Sequence, residues 1–104
     1  MAAGVFSDKL NLPDLSQPPG TQGDVLDTRN LRKMALQFEG DFLGGGFTVM
    51  ARLNDGSDWA PVLRITSAGV YQVPTLAIFI TVQVAVSSNA GTLPCWICGE
   101  LIVL

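Results

Sequence analysis

The sequence predicts an all-β chain: a small antiparallel β-sandwich or jelly roll with an extended N-terminal arm. Three observations predict this class. Apolar residues alternate with other residues in several short segments, as they do in half-buried strands. Gly-rich turns separate these segments at regular spacing, and no helical period lies between them. We expect residues 1–33 to form the arm and a linker, and residues 34–104 to form the sandwich domain.

Residues 1–24 are predicted to be the arm itself, because turn-forming and helix-breaking residues interrupt them. These are Pro13, Pro18, Pro19, Gly20 and Gly23. Ordering such a segment costs on the order of 1.5 kcal/mol per residue, and each buried apolar side chain returns only about 1.5–3 kcal/mol. We therefore expect a loose arm whose apolar side chains bind a partner, with a leader of no function as the alternative. The partner-binding residues predicted here are Val5, Phe6, Leu10, Leu12 and Leu15.

Residues 25–33 fit either a short helical turn, capped by Asp27 or Thr28, or a linker. After them the apolar period is two. Three segments are predicted to face inward through these residues: Met34, Leu36 and Phe38; Phe47, Val49, Ala51 and Leu53; and Leu63 and Ile65. Turns are expected at 54–58 and 67–69, a short strand at 70–73, and one or two strands bent near Gly99 at 92–104.

Residues 76–86 carry the clearest strand pattern. Branched aliphatic residues occupy one face: Leu76, Ile78, Ile80, Val82, Val84 and Val86. The other face carries no charge, unlike the solvated face of a typical sheet. We therefore predict that this sheet face binds a partner through Phe79, Thr81 and Gln83.

Charge is scarce and uneven. Charged residues make up 14% of the chain, the net charge is −3, and Glu100 is the only charged residue from 65 to 104. A surface with so little charge favours association, which predicts a homo-oligomer covered by neighbouring subunits. Arg29, Arg32 and Lys33 form the only basic cluster, and we interpret it as a solvated patch or an interface contact. Nucleic-acid binding is not expected, because it needs a longer basic face.

No membrane segment or export signal is expected. The apolar run at 76–86 has about half the ~20 residues that span a bilayer, and the start of the chain lacks the basic and apolar regions of a signal peptide. Catalysis and cofactors are not expected either. The chain has no histidine, the commonest general base and metal ligand.

Several motifs have a chemical and a structural interpretation, and we favour the structural one for each. Cys95 and Cys98 are interpreted as inert, mostly buried thiols that point to opposite faces of a strand; a disulfide, redox chemistry or a metal is the alternative. The glycines at 44–46 suit a hairpin connection or bulge better than a phosphate cradle. Asp41, Asp55 and Asp58 are interpreted as turn residues, with a weak calcium site as the alternative. Trp59, Tyr71 and Trp96 are interpreted as packing residues, with a sugar-binding surface as the alternative.

Residues 38–86 resemble a pattern found in small virion proteins of tailed bacteriophages. The pattern reads Phe38-Glu39-Gly40, an alternating strand, and Asn54-Asp55-Gly56-Ser57-Asp58-Trp59. It continues as Ile65-Thr66-Ser67-Ala68-Gly69-Val70-Tyr71-Gln72-Val73-Pro74, followed by the aliphatic strand. The resemblance implies a compact β-sandwich in a virion and carries no catalytic residues.

Within that resemblance we expect a capsid decoration (cement) protein located on the phage head. Its partner would be the major capsid protein or another virion subunit. An arm and an uncharged sheet face supply the many weak contacts that such a role requires. A neck, tail or fibre component is the alternative within the virion, and a carbohydrate-binding module is the alternative from another class.

Overall fold

Eight β-strands account for the regular structure of the computed structural model, which describes residues 5–54, 56–74 and 78–101. The strands are β1 (Val5–Lys9), β2 (Leu26–Asp27), β3 (Leu31–Phe38), β4 (Gly46–Arg52), β5 (Ala60–Ile65), β6 (Gly69–Gln72), β7 (Phe79–Val86) and β8 (Cys95–Leu101). The described residues include no helix, and so none with the length and apolarity that a membrane crossing demands.

The strands form two four-stranded antiparallel sheets packed face to face. Sheet A has the order β1-β8-β3-β6, and sheet B has the order β2-β7-β4-β5. The predicted all-β sandwich is confirmed. The two sheets bury one continuous apolar core between them, as alternation along each strand requires.

Most residues predicted to face inward do so. Met34, Leu36, Phe47 and Val49 are all buried in the core, as are Phe38, Ala51, Ile65, Ile80, Val82 and Val84. Leu53 was predicted wrongly: β4 ends at Arg52, and the Leu53 side chain beyond it is 63% exposed. Leu76 lies outside the described residues.

Three phenylalanines form the centre of the core. The ring centroids of Phe38 and Phe47 are 5.8 Å apart, and those of Phe42 and Phe47 are 5.4 Å apart with the rings near perpendicular. The edge-on arrangement of the second pair is favourable for aromatic rings. Phe42 comes from the loop between β3 and β4, so this loop takes part in holding the two sheets together.

The predicted N-terminal arm is part of the sandwich. β1 pairs with β8 along its whole length, from Val5 opposite Glu100 to Lys9 opposite Trp96. Residues 20–28 then run beside β7, where the Gly20 and Gly23 amides donate to the carbonyls of Val84 and Val82 at 2.8 and 2.9 Å. Composition predicts a loose arm because the burial of its apolar side chains alone does not offset the conformational entropy lost when residues 1–24 become ordered. The backbone hydrogen bonds and β1 pairing supply the missing contribution.

The division at residue 34 also has no counterpart in the structure. β3 begins at Leu31, inside the predicted linker, and residues 25–33 contain β2 and a turn instead of a helical turn. In that turn the Leu31 amide donates to the Thr28 carbonyl at 3.1 Å.

Gly44 and Gly45 lie in the connection from β3 of sheet A to β4 of sheet B, which is a crossing between sheets and not a hairpin. Gly46 begins β4 at a register shift before Phe47, in agreement with the alternative prediction of a bulge. Gly44 has a φ of 85°, a conformation that favours glycine. A Cβ atom on Gly45 would lie 2.7 Å from both Leu15 Cδ2 and Ser88 Oγ. The close approach of Leu15 to this backbone is what requires glycine at position 45.

Candidate functional site

Arg52 lies between two aromatic rings at one end of the outer face of sheet B. Its guanidinium carbon is 4.7 Å from the ring centroid of Trp59 and 4.9 Å from that of Phe79. Arg29 lies over Phe79 at 5.8 Å. We call these four residues the aromatic–arginine stack. Each cation–π contact contributes about 0.5–1 kcal/mol at an exposed site, so together they hold the Arg52 guanidinium in one place.

The two arginines of the stack differ in their polar partners. Arg29 forms an ion pair with Asp27, with 2.6 Å between Nη2 and Oδ2. Arg52 forms no ion pair with any residue in the described part of the chain, and its buried Nε has no hydrogen-bond partner there. A guanidinium carries five N–H donors in a rigid fork. Arg52 is half-buried, so its remaining N–H groups can donate to a carboxylate of another molecule.

The predicted sheet face on β7 is only partly open to a partner. Phe79 and Gln83 are half-buried, but Thr81 is fully buried. The Thr81 hydroxyl donates to the Asp24 carbonyl at 2.8 Å, so the chain's own residues 23–24 cover it. Thr81 was therefore placed wrongly on an open surface, since residues 20–28 had been assigned to the arm and linker.

The residues predicted to bind a partner through the arm are mostly inside the protein. Leu10, Leu12 and Leu15 are 3%, 7% and 0% exposed, and Phe6 packs against the core. Val5 alone among the five is open, at 77% exposed. In this fold the three leucines stabilise the sandwich and are not available as contact residues.

Sheet A presents a second outer face, which sequence reasoning did not single out. Trp96 on β8 is 45% exposed and Val70 on β6 is 67% exposed. Between these strands lies an open groove of about 210 Å³ whose lining includes Gln37, Trp96 and Cys98. The Trp96 indole Nε1 donates to Glu39 Oε1 at 3.1 Å, which fixes the ring at the end of the face.

The aromatic residues considered as a sugar platform do not lie together. Trp59 belongs to the stack on sheet B, whereas Trp96 is on the outer face of sheet A. Tyr71 packs edge-on against Phe38 at 6.1 Å, and its hydroxyl donates to the Ser67 carbonyl at 2.8 Å. No single surface therefore carries all three rings.

Among the acidic and basic candidates, Asp41, Arg32 and Lys33 have partners within the chain. Asp41 Oδ1 accepts a hydrogen bond from the Leu43 amide at 3.0 Å, as a turn residue does. Asp55 lies outside the described residues, and within them no group of three or more potential ligands is placed to hold a metal ion. Arg32 and Lys33 both reach Glu100, at 3.0 and 3.7 Å.

The two cysteines are free thiols with different environments. They point to opposite faces of β8, as their spacing predicts, with Cys95 in the core and Cys98 on the outer face. The prediction that both are mostly buried is wrong for Cys98. Burial raises the pKa of the Cys95 thiol to about 12, so this thiol stays protonated and unreactive at neutral pH.

At about pH 8, a thiol reagent is expected to modify the exposed Cys98 and to leave the buried Cys95 intact in the folded protein. Titration with a chromogenic disulfide should then detect one thiol in native protein and two after denaturation.

Unfolding lowers the Cys95 pKa from about 12 towards 9.0. Stability therefore falls as the pH rises through this interval. Rapid labelling of a native Cys98→Ser variant would contradict the assignment.

The aromatic–arginine stack was missed because it depends on strand register. Alternation places Arg52 and Phe79 on outward faces of their strands, but only the pairing of β4 with β7 puts the two residues opposite each other. Trp59 then reaches Arg52 from the far side of the β4–β5 turn. The sequence gives one signal for this site. Arg52 is the only charged residue of β4 and β7, and alternation places it on the outward face.

The fold is similar to that of a solved protein of prophage origin. The crystal structure of the SPBc2 prophage-derived protein YomS superimposes with a TM-score of 0.67 at 9% sequence identity, covering 96% of this chain and 96% of that chain. A scan of protein-family models finds no match, and neither does a search of the curated proteins. At this level of identity the likeness shows that the two proteins share a sandwich fold over nearly their whole lengths.

Proposed function

We propose that this chain is a non-enzymatic structural subunit of a phage virion, specifically a capsid decoration protein that binds the major capsid protein and stabilises the head. The observation that carries the proposal is the outer face of sheet B. There the uncharged strand β7 lies beside Arg52, which two rings hold in place and which has no ion pair with any described residue. Aromatic residues and arginine are enriched at protein interfaces.

Two further observations support the virion setting. The turn and strand pattern of residues 38–86 resembles that of small tailed-phage virion proteins, and the sandwich is similar in fold to a prophage-derived protein. The protein is then located on the phage head, after assembly in the host cytoplasm. A decoration subunit stabilises a shell through many copies of a modest contact, so the face needs no large area.

Arg52 is the proposed anchor of this contact. Its guanidinium is already ordered by Trp59 and Phe79, so little conformational entropy is lost when it binds a carboxylate on the capsid protein. Trp59 and Phe79 would flank the bond and exclude water from it, whereas Gln83, opposite Thr48, would make a separate contact at the other end of the same face. Arginine side chains in well-packed, desolvated surroundings are among the residues that contribute most to binding.

The test is binding of the purified protein to shells assembled from the major capsid protein of the same phage. Wild-type protein should sediment with the shells, and Arg52→Ala should weaken binding about 10-fold or more. Arg52→Lys should also weaken it, because an ammonium lacks the planar fork. Lys9→Ala is the matched control: it removes one positive charge from the exposed edge strand β1 of sheet A, which lies outside the outer face of sheet B.

Equal loss of binding in Lys9→Ala, or no shell binding by folded wild-type protein, would contradict the proposal. Binding to neck, tail or fibre proteins would identify the other virion role. Exposed Trp96 beside the groove favours a carbohydrate-binding module as the candidate of another class. Glycan binding that is lost in Trp96→Ala would establish that function instead.

A further inference from the structure

A tight turn before β4 carries a leucine at a position where this amino acid is unfavourable. The turn spans residues 42–45, and the Gly45 amide donates to the Phe42 carbonyl at 2.9 Å. Its central residues, Leu43 and Gly44, have φ values of 51° and 85°, as a type I′ turn requires. Glycine adopts such values without cost, but the Cβ atom of a leucine is crowded by the backbone there. Asn, Asp and Gly are the usual residues at this position.

Packing within the described part of the chain does not explain the leucine. The Leu43 side chain is 58% exposed and is not among the residues that pack on the core. An exposed leucine alone needs no explanation, but a bulky residue held at positive φ does, because such strain is concentrated at functional sites. Lys33, with a φ of 53°, is the other non-glycine residue of this kind among those described. It lies on the β-bulge of β3, where its amine reaches Glu100 at 3.7 Å.

The turn holds Leu43 in a fixed position. On one side of it, the Phe42 ring is buried in the core, and the Phe42 carbonyl accepts a hydrogen bond from Ser88 Oγ at 2.6 Å. On the other side, the Gly45 backbone lies directly against Ser88. The Leu43 amide donates to Asp41 Oδ1 at 3.0 Å. An apolar side chain on a backbone that is already ordered loses little conformational entropy when it binds.

Charge gives this end of the sandwich no strong preference for a charged partner. Two bases and three acids lie on the strand ends and loops around the turn: Lys9, Arg64, Asp14, Glu39 and Asp41. The excess is a single acid. The surface that fits Leu43 is therefore an apolar pocket, in which burial of the side chain supplies the binding energy.

We propose that Leu43 inserts into an apolar pocket of the major capsid protein and is a second anchor of the shell contact. This inference rests on the proposed function. The turn directly precedes β4 and Arg52 ends it, so the two anchors lie at opposite ends of one strand of sheet B. Seven residues at ~3.4 Å each separate the ends by about 24 Å. An interface of about 800 Å² per partner is roughly 30 Å across, so both anchors fit within one contact.

Leu43→Asn separates the contact from the fold. Because Asn suits the turn, this variant should raise the Tm by about 4 °C. Because the apolar side chain is lost, it should also weaken binding to capsid-protein shells about 10-fold. Leu43→Met keeps an apolar side chain of similar volume and should retain most of the binding. Thermal unfolding and sedimentation with shells measure the two effects.

Lys33→Asn is the matched control. It introduces the same residue at nearly the same φ, at the far end of sheet A, and should leave shell binding unchanged. Unchanged shell binding by Leu43→Asn would overturn the inference, and so would equal weakening in Lys33→Asn. A lower Tm for Leu43→Asn would show that the leucine serves the fold, which also overturns it.

The two proposals fail in different ways. If Arg52→Ala weakens shell binding and Leu43→Asn does not, the Leu43 contact is wrong and the Arg52 anchor stands. If Leu43→Asn weakens binding and Arg52→Ala does not, the Leu43 contact stands and the Arg52 anchor is wrong. Folded wild-type protein that binds no shells contradicts both.

Discussion

Leu15→Ala is expected to lower the free energy of unfolding by about 2–5 kcal/mol, as truncation of a buried leucine does. The Leu15 side chain is 0% exposed and lies against the backbone of Gly45 at the crossing between the sheets. Its amide and carbonyl also bond to the carbonyl of Gly91 and the amide of Ser88, each at 2.9 Å, so the backbone around the resulting cavity cannot close easily. Urea denaturation followed by tryptophan fluorescence measures the change.

Val5→Ala is the matched control within the same N-terminal segment. Val5 is 77% exposed, and substitutions at exposed positions change stability by about 0.5 kcal/mol or less. If Leu15→Ala proved as mild as Val5→Ala, the segment before β2 would not belong to the core. A loose arm at residues 1–24 would then describe the protein.

Phe47→Ala is expected to cost about 3–5 kcal/mol. Phe47 is 0% exposed and contacts both Phe38 of sheet A and Phe42 of the crossing loop, so its truncation removes two aromatic contacts at the centre of the core. Phe47→Leu should cost less, because it keeps most of the buried volume. Thermal and urea unfolding of both variants give the comparison.

Val25→Ala serves as the reference for this second series, since Val25 is 47% exposed. Its effect should remain near zero on the same scale. A Phe47→Ala variant as stable as Val25→Ala would show that the three phenylalanines do not form the centre of the core. The expected loss is a large part of the 5–15 kcal/mol that stabilises a typical domain.

The sandwich could be predicted because the alternation of apolar residues within each central strand identifies the face that is buried. Met34, Leu36 and Phe38, or Ile80, Val82 and Val84, alternate strictly, and the structure buries all of them. Alternation needs no knowledge of partners. The class of fold was therefore available from the sequence, including the absence of crossover helices.

The N-terminal segment could not be predicted in the same way. Residues 10–24 carry Pro13, Pro18 and Gly20 and have no period of two, yet they are ordered by hydrogen bonds to distant residues such as Val84 and Gly91. Such pairing depends on long-range register, which local composition does not encode. The same limit hid the aromatic–arginine stack, since Arg52 meets Phe79 only through the pairing of β4 with β7.

The pairing of β1 with β8 joins strands from opposite ends of the described chain, Val5 lying opposite Glu100. Sheet A therefore cannot be completed during synthesis until residues 95–101 have left the ribosome. Until then β3 can pair only with β6 in sheet A, and its other edge is unpaired. Folds governed by such distant contacts form in milliseconds to seconds, slower than helical bundles, so the yield of folded protein should be sensitive to growth temperature and expression rate.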